Sequence, residues 1–157
     1  VRDDDGHAAG EKALAACDMS VTAVAVPSAA SPAVNPMQPL STAEVFGGLK
    51  ERTNAAGPRP PAQFADLDHL TSWLATCRND LEAPARTLRP AIGRCLSALT
   101  WRPDCRFARM SGSGATCFGI FGTQTEALVA ADEIRAREPS WWVAAAPVEG
   151  WEQKDEY

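Results

Sequence analysis

At 157 residues, with 45% hydrophobic and 22% charged side chains, the chain has the length of one globular domain and can bury a core without disulfides or metal, which excludes disordered, fibrous and collagen-like classes. Fifteen basic against twenty acidic residues leave a net charge of −5. Lys12, Lys50 and Lys154 are scattered and the arginines never form a run, which argues against nucleic acid as a partner. No stretch approaches the roughly 20 apolar residues of a membrane span, and the acidic opening Val1-Arg2-Asp3-Asp4-Asp5-Gly6 is unlike a secretory signal.

In chain order, residues 1–33 read as an alanine-rich leader in which only Val21-Thr22-Ala23-Val24-Ala25-Val26 alternates like a strand, closed by Pro27. Asn35-Pro36 and Pro39 mark a turn, because the residue before proline avoids the helical region. Ser41 with Glu44 has capping-box spacing and opens a short helix ending near Gly47-Gly48. The prolines of 54–61 make a loop. A short amphipathic helix follows over 66–77, with Leu67, Leu70, Trp73 and Leu74 on one face. The clearest helix starts at Asn79: Leu81, Ala85, Leu88, Ile92, Leu96 and Leu99 form one stripe, and Pro90 kinks or interrupts it.

From Arg106 the period changes. Arg106–Met110 alternates as a strand, 111–114 is a glycine-serine turn, and Ala115–Phe121 is a buried strand. Thr123 with Glu126 caps a helix carrying Leu128, Ala131 and Ile134 inward, Pro139 stops it, and 141–148 is a last strand before a polar tail over 149–157. Helix, strand, tight turn, strand, helix, strand is the order of an α+β, ferredoxin-like split βαβ layer, with Val21–Val26 as a candidate fourth strand. Five cysteines (Cys17, Cys77, Cys95, Cys105, Cys117) without a C-x-x-C, and only two histidines, write no metal site; they read as buried free thiols.

Chemistry concentrates at Arg109-Met110-Ser111-Gly112-Ser113-Gly114-Ala115-Thr116-Cys117, with Ser111 to Thr116 as its glycine loop. Two glycines and short side chains between strands leave backbone N–H groups free to converge on an anion, and three hydroxyls add donors. Phosphate or diphosphate suits such a nest. A plain hairpin connection suits the same residues, and residue type alone favours it. The segment is neither a Walker loop nor a dinucleotide fingerprint.

Met110-Ser-Gly-Ser-Gly-Ala-Thr-Cys-Phe-Gly119 closely resembles the third motif of the GHMP small-molecule kinases, in particular those acting on cytidine-diphosphate-linked methylerythritol in non-mevalonate isoprenoid (terpenoid) biosynthesis. Asn35-Pro36 with Leu40-Ser-Thr-Ala-Glu-Val-Phe46 resembles the family's N-P…S-T-x-x-V-F stretch, and Asn79-Asp-Leu-Glu82 its N-D-L-E helix start. The resemblance runs from about Asn35 to Val148, and it implies that 34–148 is the C-terminal domain of the two-domain GHMP fold, with the N-terminal domain missing. It implies a cytoplasmic enzyme using ATP and Mg to phosphorylate a 2-hydroxyl. It places Thr42 and Phe46 against cytidine and Ser111 to Thr116 beside phosphates, and leaves Asn79, Asp80 and Glu82 as structural caps. A hydroxyl and a ring at i and i+4 share a helix face, so both can meet one pyrimidine; Phe46 taken without the family reads as a core contact. The family's nucleotide loop and its catalytic lysine and aspartate have no counterpart among these motifs, so the isolated chain is expected to hold no catalytic residue and not to turn over substrate. The alternative is a non-enzymatic ferredoxin-like module that binds a small ligand or dimerises through a sheet edge.

Overall fold

Residues 29–148 are described by a computed structural model. Four strands, β1 (Ala30–Asn35), β2 (Cys105–Met110), β3 (Cys117–Phe121) and β4 (Trp142–Pro147), form one antiparallel sheet in the order β2-β3-β1-β4. Between β1 and β2 lie α1 (Thr42–Gly47), α2 (Leu67–Thr76), α3 (Glu82–Leu88) and α4 (Ala91–Thr100), and α5 (Gln124–Arg137) joins β3 to β4. β3 inserted antiparallel between β1 and β2 is the expected split βαβ, so the fold is ferredoxin-like α+β.

The fourth strand is Ala30–Asn35; the expected Val21–Val26 strand lies outside the described residues. Ala-Ser-Pro-Ala-Val-Asn hides a strand from a sequence reading because proline donates no N–H to a ladder. The sheet accommodates Pro32 by pairing β1 with β4 at every position from Ala30↔Pro147 to Asn35↔Trp142, while pairing with β3 falls at Ala30, Ala33 and Val34 and skips Ser31 and Pro32.

Local capping sets the helix starts. Thr123 and Glu126 make a complete capping box: the Glu126 N–H donates to Thr123 Oγ1 at 3.2 Å and the Thr123 N–H to Glu126 Oε2 at 3.0 Å. At α1 only half of the expected box forms, the Glu44 N–H reaching Ser41 Oγ at 3.4 Å without the return bond. Asp66 caps α2 through the His69 N–H at 2.7 Å. The long stripe becomes helical at Glu82, three residues later than expected, after a turn in which Asn79 Oδ1 accepts the Leu81 N–H, and Pro90 divides it into α3 and α4. Along it Leu81, Ala85, Ile92 and Leu99 are buried and Leu88 and Leu96 partly so.

On one sheet face, α4 and α5 cover Val34, Met110, Cys117 and Val143 to form the main core. On the other, α2 brings Leu70 and Leu74 against Ile120, with Phe107 and Phe118 at the margin. Each fully buried Leu, Ile or Phe contributes about 2 kcal/mol by area, an upper bound given a compact unfolded chain. Leu128 points outward, 43% exposed; the inward face of α5 is Ala127, Ala130, Ala131 and Ile134. That i, i+3, i+4, i+7 stripe is mostly alanine, so hydrophobicity alone mislocates it. Cys95 and Cys117 are buried free thiols, whereas Cys77 and Cys105 are only half-buried; Cys17 lies outside the described residues. Burial raises the Cys77 and Cys105 thiols, and Cys117, hydrogen-bonded to Cys95 and buried, is raised too. A raised thiol is a poor nucleophile, so Cys77, Cys105 and Cys117 read as packing groups. Among the described residues no helix is long and apolar enough to cross a membrane.

Candidate functional site

Residues 111–116 connect β2 to β3. Gly112 (φ +53°) and Gly114 (φ +87°) adopt the left-handed region, which a side chain makes costly. Their surroundings differ. A Cβ on Gly114 would lie 2.8 Å from Met110 Sδ and 3.2 Å from Leu40, whereas one on Gly112 would meet nothing within 4 Å. The loop partly satisfies itself: the Ser111 N–H donates to the Thr116 carbonyl at 2.8 Å and the Gly114 N–H to the Ser111 carbonyl at 2.9 Å. No acceptor among the described residues takes the N–H groups of Gly112, Ser113, Ala115 or Thr116. Ser111 and Gly112 are exposed, Ser113, Gly114 and Thr116 half-buried, and Ala115 buried.

Three separate segments close on this loop. At the end of β1, Asn35 Nδ2 donates to Thr116 Oγ1 at 2.9 Å, while Asn35 Oδ1 accepts the Met37 N–H at 2.8 Å and turns the chain. From the first turn of α1, Thr42 Oγ1 lies 3.0 Å from Ser113 Oγ. Thr42, which the resemblance would set against cytidine, thus meets Ser113, which it would set beside phosphate. Phe46, one turn further along α1, is half-buried against the main core.

Asn79, expected only to cap a helix, clamps the loop. Its Nδ2 donates to the carbonyls of Met110 at 3.0 Å and Gly112 at 2.9 Å, and its Oδ1 accepts the Leu81 N–H at 3.1 Å. Glu82 Oε2 accepts the Met110 N–H at 3.4 Å. The N-D-L-E segment therefore grips both backbone groups of the residue that enters the loop. Sequence reasoning saw the cap spacing but not this long-range use, for which local pattern carries no signal.

Beside the loop, Asn79, Glu82, Ala83, Arg86 and Arg109 line a cleft of about 510 Å³. A second cleft, about 580 Å³, lies between the end of α1 and α3, with Leu49, Pro84 and Leu88 among its walls and Lys50 and Asp80 at its polar side. Loop residues line neither. The arrangement offers hydrogen-bond donors to an anion, and among the described residues no group of three His, Cys, Asp or Glu side chains converges to hold a metal ion.

A ferredoxin-like sheet whose β2–β3 connection is a donor-rich glycine loop defines a class, and residues 62–139 match the family model for it, GHMP kinases C terminal. The chain belongs to the GHMP kinases, of which it carries the C-terminal domain. Within that family it is similar to curated proteins named 4-diphosphocytidyl-2-C-methyl-D-erythritol kinase. That of Mesorhizobium japonicum is 53% identical over 112 residues, covering 71% of this chain and 37% of the relative. That of Dinoroseobacter shibae is 48% identical over 111 residues, covering 71% and 39%. The chain thus spans about two fifths of the length of these relatives. A crystal structure of 4-(cytidine 5'-diphospho)-2C-methyl-D-erythritol kinase shares the fold, with a TM-score of 0.55 at 24% identity over 78% of this chain and 44% of that one.

Proposed function

We propose that this chain is the C-terminal part of a cytoplasmic kinase that transfers the γ-phosphoryl of ATP to the 2-hydroxyl of 4-diphosphocytidyl-2-C-methyl-D-erythritol, in isoprenoid biosynthesis. The observation that carries this reading is the convergence of Asn35, Thr42 and Asn79 on a glycine loop with open amides. Phosphoryl transfer depends on positioning and charge neutralisation more than on covalent chemistry, and a loop of fixed amides supplies both without reorganising. Ser111, Gly112, Ser113, Gly114, Ala115 and Thr116 hold phosphate oxygens. Thr42 and Phe46 face the cytidine end, the exposed edge of the half-buried ring taking the pyrimidine. Magnesium travels on the phosphates, as it commonly does where a protein offers few carboxylates. No residue of this chain is assigned as base or catalytic lysine, so the chain binds and positions but does not turn over alone.

The test is an NMR titration of the 157-residue chain with cytidine diphosphate. The reading predicts shifts at the Thr42 and Ser113 amides, with Phe46→Ala weakening binding about tenfold, the scale of a lost aromatic contact. No response at millimolar nucleotide, together with concentration-dependent dimers by light scattering, would favour the dimerisation module instead.

A further inference from the structure

The cleft beside the glycine loop is built around two guanidinium groups and one carboxylate. Arg109, the last residue but one of β2, is half-buried and stacks on the Phe107 ring, its guanidinium 4.7 Å from the ring centroid. No carboxylate among the described residues forms an ion pair with it. Across the cleft, Arg86 of α3 lies 3.5 Å from Glu82 Oε1, and Glu82 Oε2 is already committed to the Met110 N–H. The cleft thus carries an uncompensated positive charge. Asn79 is a wall of the cleft and also the donor that holds the Gly112 carbonyl, so cleft and loop are contiguous.

A cation drawn partly out of water without a counter-ion is costly unless an anion completes it. The planar fork of arginine, stiffened here by its aromatic stack, matches two phosphate oxygens at once. We infer that this cleft is an anion subsite taking one phosphate group of a nucleoside polyphosphate, with Arg109 as its direct ligand and Arg86, steered by Glu82, as the flanking charge. The inference rests on the proposed function insofar as the neighbouring phosphate oxygens lie on the loop amides. In the sequence Arg109 is marked only as the residue that opens the glycine segment; its position beside the loop with no carboxylate partner among the described residues is what gives it this role.

The test is a magnesium-free pyrophosphate titration of the 15N-labelled chain, following the Gly112 and Ser113 amides and the Arg109 Nε–H. Both sets of signals are expected to shift. Arg109→Gln should weaken binding by about 10- to 100-fold, the range for a lost hydrogen bond to a charged group. Arg109→Lys, which keeps the charge and loses the fork, should fall between. Arg106→Gln, an equal charge change at an exposed position of the same strand, should bind as wild type does. The inference is overturned if the loop amides shift while the Arg109 signal stays and Arg109→Gln binds normally, a result that leaves the proposed function standing. Arg109 shifting with the loop amides still would separate the other way, keeping the subsite and removing the loop's phosphate role. Silence at both places removes both.

Discussion

Replacing Asn79 by alanine removes at least three hydrogen bonds at once, two into the Met110 and Gly112 carbonyls and one from the Leu81 N–H. A typical intramolecular bond contributes about 1 kcal/mol net. The Gly112 carbonyl is exposed and water can replace its partner, so the sum is discounted to about 2 kcal/mol. For a domain of this size that lowers Tm by roughly 6–10 °C. Asn79→Asp should be worse than alanine, because it keeps the acceptor for Leu81 but sets a carboxylate against two carbonyl oxygens. Calorimetry of the two variants with wild type checks the ordering, and amide exchange at Ser111 and Gly114, the two loop N–H groups that have acceptors, should quicken in both. If Asn79→Ala melts within about 1 °C of wild type with unchanged exchange, the clamp contributes nothing and the reasoning from these distances is wrong.

The two loop glycines should separate in urea denaturation. Gly114→Ala forces a Cβ to 2.8 Å from Met110 Sδ in a left-handed conformation and should cost about 2–4 kcal/mol, whereas Gly112→Ala meets open space and should cost about 1 kcal/mol. On the surface joining β2 to α5, Arg102 bridges Asp104 and Glu133, and the bond from Arg102 holds the Asp104 carboxyl below its ordinary 3.8. A depressed carboxyl stabilises the fold above that value and loses the contribution as pH falls below it. The stability gap between wild type and Asp104→Asn should therefore be present at pH 7 and close in acid; a gap that widens in acid would contradict the assignment.

What could be read from the residues was mostly local. Ser41 and Thr123 mark their helices because a cap acts within four residues, and Pro90 splits its helix because a ring in place of an N–H acts within one turn. The ferredoxin-like order followed from the change of period at Arg106. β1 escaped notice because Ala30–Asn35 is made of small residues around a proline, and its place depends on pairing with β3 and β4, 83 to 117 positions away. Leu128 was misplaced because the face that meets the sheet is mostly alanine, which hydrophobic weight underrates. Asn79 was legible as a cap and illegible as a clamp, since its partners lie 31 and 33 residues on. Arg109 was legible only as the first residue of the glycine segment; its surroundings define its role.

The decisive experiment is kinetic. Residues 29–148 of this chain, exchanged for the matching segment of the Mesorhizobium japonicum relative, give a chimaera whose ATP-dependent phosphorylation can be compared with its Gly112→Asn form. Asparagine tolerates the left-handed conformation and its Cβ would meet no atom of the described residues within 4 Å, so the fold of this domain should survive while whatever lies over the loop is obstructed. An active chimaera that loses at least about a hundredfold in kcat/KM, some 2.7 kcal/mol of transition-state stabilisation, is the result predicted for a loop that carries polyphosphate oxygens. A folded Gly112→Asn chimaera as fast as its parent would contradict it.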